Sequence, residues 1–293
     1  MTSPDTTQHD RLARFIARSG LASRRSAERL VREGAATVNG HIERDPGFEI
    51  EPGADVIRFQ GRTVEGSRNL IYQLLFKPRG TITSREDPEG RKGVHELLPR
   101  LSDRVEPVGR LDFNTEGALL FTNDGDLAHR LTHPSYHIPR RYLAKVYRTP
   151  TEVTLNKIRK GIRLEDGRTV PALCRVLEST DTGNAWIEIT VYEGRHHLIR
   201  RLFAALGHPV SKLRRDSFAT LPIRGLERGE SRPLTHAEVE RLRELTAEKG
   251  DTGRVQTKGR KKGWARPTVD RDKGKPLSKA KLRKRRRVSK GKR

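Results

Sequence analysis

Apolar residues recur at helical spacing early in the chain. Leu12, Phe15 and Ile16 share one face of a helix predicted over residues 11–19, which Gly20 ends. Ser23 caps a second helix whose stripe is Ala27, Leu30 and Val31, and Gly34 stops it. The period then shortens to two. Residues 36–38, the Asn39-Gly40 turn and residues 56–59 predict small strands. A polar, turn-rich stretch follows, and a stronger apolar run over 70–76 opens a larger unit.

Within that unit, residues 105–108 and 118–122 read as strands, the second ending at the turn signal Asn123-Asp124-Gly125. A short helix is expected at 94–98 and another at 126–132, stopped before Pro134. Further on the pattern predicts a strand at 140–147, a helix at 150–160, and a strand pair at 170–177 and 186–192. A helix over 195–206, one or two strands within 210–221, and a helix capped by Thr235 through about 247 complete it. Hairpin-linked strands interleaved irregularly with helices give an α+β class, with a mostly antiparallel mixed sheet and flanking helices, rather than a doubly wound sheet.

Charge changes the picture. The 293 residues carry +24, with 33% hydrophobic content. From position 251 onward there are 19 Lys and Arg against three Asp, so +16 of the excess is a tail and +8 belongs to the preceding 250 residues. The tail holds almost no large apolar residue besides Trp264 and is expected to be disordered when free; Trp264 could stack on a base. A basic body with a basic tail points to a polyanion, nucleic acid first. No apolar run approaches the ~18 residues of a spanning helix, and the polar first ten residues are neither signal nor transit peptide. The single cysteine, Cys174, excludes an internal disulfide and sits in an apolar run as a small core residue. The expected location is the cytoplasm, without membrane contact.

The candidate chemistry centres on residues 109–117, Gly-Arg-Leu-Asp-Phe-Asn-Thr-Glu-Gly, which place Asp112 on a loop between two buried strands. On spacing alone the plainer reading is a turn aspartate. A calcium loop is excluded by Glu116 and Asn123 at the positions that would need Asp or Asn and a bidentate Glu. His129, His133 and His137 are four apart, but Pro134 interrupts any helix carrying all three, and no metal is expected.

The 109–117 motif, the following leucine run, Thr122-Asn123-Asp124-Gly125 and the stretch 127–134 resemble bacterial ribosomal RNA pseudouridine synthases that modify single uridines. The resemblance continues through Arg141-Tyr142 and Glu193-Gly194-Arg195 and covers roughly residues 10–245. Leu21 to Arg25 and Val38-Asn39-Gly40 resemble the S4-type RNA-binding domain of that branch. The implied organisation is an S4-type domain at 10–62, a linker at 63–69, a catalytic domain at 70–249 and a basic tail at 250–293.

The resemblance makes Asp112 the catalytic nucleophile or base, needing no cofactor or metal. It also implies that Arg200 ion-pairs with Asp112 and keeps it charged; at about 4 Å and an effective dielectric near 20 such a cation contributes roughly 4 kcal/mol. Tyr142 would stack on the uracil, and Arg110 would help extrude the nucleotide. Lys77 and Arg195 are expected phosphate contacts, and Arg14, Arg18, Arg24, Arg25 and Arg29 form the expected RNA-binding face of the small domain, clustered with almost no acid between them. Leu198 and His196 stand where the family usually has glutamine and asparagine. The implied partner is ribosomal RNA or a ribosome-assembly intermediate, bound by a monomer, with the large-subunit RNA favoured over the small-subunit RNA. The competing reading is a non-catalytic RNA-binding assembly factor.

Overall fold

The computed structural model describes residues 9–65, 69–84, 87–180 and 183–247. The expected tail, Trp264 and the middle of the expected linker lie outside the described residues. In the N-terminal region α1 (Leu12–Arg18) and α2 (Arg24–Arg32) pack on a small sheet of β1 (Ala36–Val38), β2 (His41–Glu43), β3 (Ile57–Phe59) and β4 (Arg62–Thr63), in the order β2-β1-β3-β4. The Ser23 side chain accepts from Ser26 N, capping α2. Leu12, Phe15 and Ile16 meet Ala27, Val31, Ile57 and Phe59 in one buried cluster. Each such large apolar side chain contributes about 1.5–3 kcal/mol when fully buried.

The rest of the described chain is built on one mixed sheet. Its strands are β5 (Tyr72–Lys77), β6 (Thr115–Thr122), β7 (Arg140–Val146), β8 (Leu173–Ser179), β9 (Ala185–Val191), β10 (Val210–Phe218) and β11 (Ser231–Pro233), ordered β8-β9-β7-β10-β6-β5-β11. Short strands at Glu106–Pro107 and Leu221–Pro222 extend β6 and β10. Helices α4 (Glu152–Lys160) and α5 (Leu198–Ala205) bury Leu155, Ile158, Leu202 and Phe203 against Ile187 and Ile189. On the other flank α3 (Gly125–Thr132) and α6 (His236–Ala247) bury Leu127, Leu131 and Leu242 with Leu74, Phe76 and Leu120. Cys174 is buried among the α4 residues, as its apolar surroundings in the sequence require.

Two departures from the sequence pattern matter for function. The strand expected at 118–122 begins at Thr115, so the last three residues of the 109–117 motif are sheet. It runs parallel to β10, with Thr115 opposite Leu213 and Gly117 opposite Arg215. Gly117 lets the two backbones meet: its φ is +126°, and a Cβ there would lie 2.1 Å from the Arg215 carbonyl oxygen. The helix expected from 195 begins only at Leu198. His197 takes a left-handed conformation (φ 50°, ψ 25°), which breaks the helix and leaves Arg195, His196 and His197 on a turn. The β11 strand was not predicted, being only three residues long.

Candidate active site

The loop that carries Asp112 is tied down carbonyl by carbonyl. Thr83 Oγ1 donates to Leu111 O at 2.8 Å, and the Lys77 ammonium donates to Asp112 O at 3.1 Å and Thr115 O at 3.0 Å. Gly80 N donates to Phe113 O at 2.9 Å, and Arg200 Nη2 donates to Asn114 O at 3.4 Å. Five consecutive carbonyls are thus held by four groups from two separate segments, residues 77–83 and Arg200. Leu111 is buried beside them, and Thr115 N closes the turn onto Asp112 O. A backbone fixed this way holds its side chain to one place, which a plain turn aspartate does not need.

Lys77 is the strut of this arrangement and is fully buried, so the expected phosphate contact is corrected. Its third donor goes to Pro78 O at 3.0 Å. An ammonium has three donors, and here three carbonyls take them. Burial pushes Lys77 down to about 8, while the Asp112 carboxylate pulls the other way and Arg215 adds to the fall.

Arg200 likewise plays a different part from the expected one. Its guanidinium donates to Val210 O and Asn114 O, so it braces the loop from behind. Among the described residues the nearest basic side chain to the Asp112 carboxylate is His197, Nε2 to Oδ1 at 3.5 Å, and no ion pair forms with Arg200. The left-handed turn at His197 swings that imidazole over the carboxylate, and the His196 ring stacks on it with centroids 3.8 Å apart.

Asp112, 36% exposed on its side chain, opens into a cavity of ≈ 290 Å³. That volume sits at the small end of ligand pockets, a fit for one nucleoside rather than an extended cofactor. Tyr142, from β7, forms one wall; Arg110, exposed, stands at the rim; Arg195, His196 and His197 line the side made by the turn before α5. Arg195 is engaged as a structural tie, donating to both oxygens of Glu193 and to Asp166 and Arg168, rather than reaching out for phosphate.

The floor includes a residue that the sequence pattern did not single out. Arg215 is 2% exposed, its Nε donates to Ala118 O at 2.7 Å, and its guanidinium lies over the Phe218 ring. Its Nη2 is buried without a hydrogen-bond partner in the structure, and the residue lines the cavity. The signal available was an arginine within the strand expected in 210–221, at a position that the structure buries. As to metals, the ligand atoms of Asp112, His196 and His197 lie within 4.8 Å of one another, a grouping that depends on the turn and was not foreseen.

The expected basic face of the N-terminal region is more neutralised than its sequence suggests. Arg18 pairs with Asp10, Arg24 with Glu28 and Arg29 with Glu33. Arg14 pairs with Asp10 and with Asp126 at the start of α3, joining the N-terminal region to the larger sheet. The acids come from one helical turn away or from distant segments. The Arg24 and Arg29 pairs are exposed and worth little, so a phosphate can displace them, whereas Arg14 and Arg18 are held against the half-buried junction. Arg25 is exposed.

A family model described as RNA pseudouridylate synthase matches residues 71–205, and an S4 domain model matches residues 10–56. The chain is 44% identical over 237 residues to a Bacillus subtilis (strain 168) protein named ribosomal large subunit pseudouridine synthase B, covering 80% of this chain and 96% of that protein. It is 40% identical over 245 residues to a protein of the same name from Escherichia coli O6:H1, covering 80% and 83%. A solved structure described as a pseudouridylate synthase superposes with a TM-score of 0.58 at 32% identity, covering 79% of this chain and 99% of that one.

Proposed function

The chain belongs to the RNA pseudouridylate synthase family and is an enzyme of that class, and on that footing we propose that it isomerises one uridine of large-subunit ribosomal RNA to pseudouridine with Asp112 as the catalytic carboxylate. The observation that carries the assignment is Asp112 on a loop with five consecutive carbonyls held, opening into a nucleoside-sized cavity. The relatives named for the large ribosomal subunit support the choice of RNA.

The reaction breaks the bond from uracil N1 to ribose C1′, turns the base, and joins C5 to C1′; the C5 proton leaves and N1 gains one. Electrons balance within the nucleoside. Asp112 serves this either as nucleophile on ribose or base, or as base at the sugar. A uridine stacked in RNA cannot reach an acid at the cavity floor, so the nucleotide is flipped out, with Arg110 at the rim in position to hold the vacated strand. The Tyr142 ring supplies a flat wall for the detached base, and its hydroxyl is the group available to take the C5 proton. Arg215, buried at the cavity floor, places a fixed positive charge beside the reacting nucleoside.

The S4-type domain binds RNA; exposed Arg24, Arg25 and Arg29 give it a displaceable phosphate-contacting face. The enzyme acts as a monomer in the cytoplasm on ribosomal RNA or an assembly intermediate, and the basic segment from 250 adds sequence-independent RNA affinity. The test is to incubate the purified chain with unmodified transcripts of large- and small-subunit ribosomal RNA and map pseudouridine. One new site in the large-subunit transcript is expected. Product confined to the small-subunit transcript would contradict the substrate, and no product from either would favour a non-catalytic assembly factor.

A further inference from the structure

Asp112, His196 and His197 bring one carboxylate and two imidazoles to a single wall of the cavity. The cause is local. Consecutive residues in a strand or helix point apart, but the left-handed backbone at His197 lays its ring on that of His196, 3.8 Å between centroids and 23° between planes. Both rings are exposed. His197 Nε2 stands 3.5 Å from Asp112 Oδ1. Two donors bound to one tetrahedral ion at about 2.1 Å are roughly 3.4 Å apart. That edge is therefore already formed; the His196 nitrogen lies within 4.8 Å of the other two donors, so it must close by up to about 1.4 Å as the exposed stacked rings splay to turn both lone pairs on the ion.

We propose that these three residues form a binding site for a borderline-soft divalent ion of the Zn²⁺ type, and that its occupation blocks the enzyme. Only the second half rests on Asp112 being the catalytic acid. Two neutral imidazoles and a carboxylate are a donor set that Zn²⁺ accepts, with a fourth position left to water. The surroundings select among ions. Arg110, Arg215 and Lys77 make this end of the cavity electropositive, which disfavours ions held mainly by charge. Mg²⁺ also needs near-ideal octahedral oxygen coordination and keeps its waters. A metal bound through imidazole nitrogens overcomes the repulsion by coordinate bonding. Once bound, it occupies the oxygens of Asp112 and stands where the ribose must lie.

The experiment uses the full chain with any affinity tag removed. Zn²⁺ is titrated calorimetrically, Co²⁺ is followed by its visible absorption, and Mg²⁺ serves as the hard-ion control. One Zn²⁺ per chain is expected at this site, with at least tenfold weaker binding in His196→Asn and in His197→Asn, and wild-type affinity in His133→Asn, which disrupts the other close imidazole pair, His129 and His133, 5.2 Å apart. On the unmutated protein, Zn²⁺ should protect His196 and His197 from carbethoxylation, a reading that does not depend on any variant folding. Pseudouridine formation should stop with Zn²⁺, continue with Mg²⁺, and return on chelation. Zn²⁺ affinity unchanged in both histidine variants, or no protection of the two rings, overturns the site. Zn²⁺ bound through all three residues with product formation unaffected overturns the inhibition, and separately contradicts the catalytic role of Asp112.

Discussion

Lys77 carries more of the site than its place in the sequence suggests. The family resemblance implies a phosphate contact for it, at the end of the strand expected at 70–76. Sequence cannot tell a lysine leaving a strand for solvent from one turning back beneath a loop; the difference lies in three carbonyls contributed by residues up to 38 positions away. Lys77→Met should cost about 1–3 kcal/mol of stability by denaturant titration, since losing charged hydrogen bonds outweighs the relief of removing a buried charge. Its effect on rate should be larger, roughly 10²-fold in kcat, because the loop that presents Asp112 is unmoored. The pH dependence has a definite sign. Lys77 is depressed to about 8, so above that pH it holds two N–H donors for three carbonyls. Product formation should fall as pH rises through about 8, and that limb should be missing from Lys77→Met. A wild-type rate flat from pH 7 to 10 would contradict this role. At the same scale, Asp112 and Tyr142 were legible in the sequence as members of one motif set, and the structure brings both to one cavity. The partner of the carboxylate was not legible: the left-handed turn that sets His197 rather than Arg200 beside it leaves no spacing signature.

Among the elements, the parallel contact of β6 with β10 decides where the site lies. Every other pairing in this sheet among the described residues is antiparallel, mostly between strands close in sequence, which is why the α+β class was readable from residues 70–221. The parallel pair brings segments about a hundred residues apart together, and no local pattern announces it. Gly117 is its physical requirement. Gly117→Ala would place a methyl 2.1 Å from the Arg215 carbonyl oxygen at a φ of +126°, and both the clash and the strained backbone must be relieved by parting the strands. A loss of about 3 kcal/mol or more is expected, seen as a lower denaturation midpoint. Arg215 would shift with its strand, so the surviving folded protein should also lose activity. An alanine variant of wild-type stability would mean that the two strands are not in this register. Helix ends were predictable where a side chain caps them, as at Ser23 and at Thr235, whose hydroxyl accepts from Glu238 N. The start of α5 was misplaced because its cap is a backbone conformation.

At the scale of the molecule, two regions divide the work. The N-terminal region supplies a surface, and the larger sheet supplies the chemistry; Arg14 links them through Asp10 and Asp126. Among the described residues no helix is long and apolar enough to cross a membrane. The charge distribution that pointed to nucleic acid was visible in composition alone, but the acids that pair with Arg18, Arg24 and Arg29 temper it. Replacing Arg24, Arg25 and Arg29 together with alanine should therefore weaken binding to a ribosomal RNA fragment and reduce its salt dependence by about two to three units of log–log slope. An unchanged slope would place the RNA elsewhere. The account as a whole turns on whether the tethered carboxylate does the chemistry rather than merely shaping the cavity. The most direct measurement is single-turnover pseudouridine formation by Asp112→Asn on large-subunit transcript at saturating enzyme, with RNA affinity measured on the same preparation. The account predicts wild-type affinity with product formation reduced below detection; product at a rate within tenfold of wild type would contradict it.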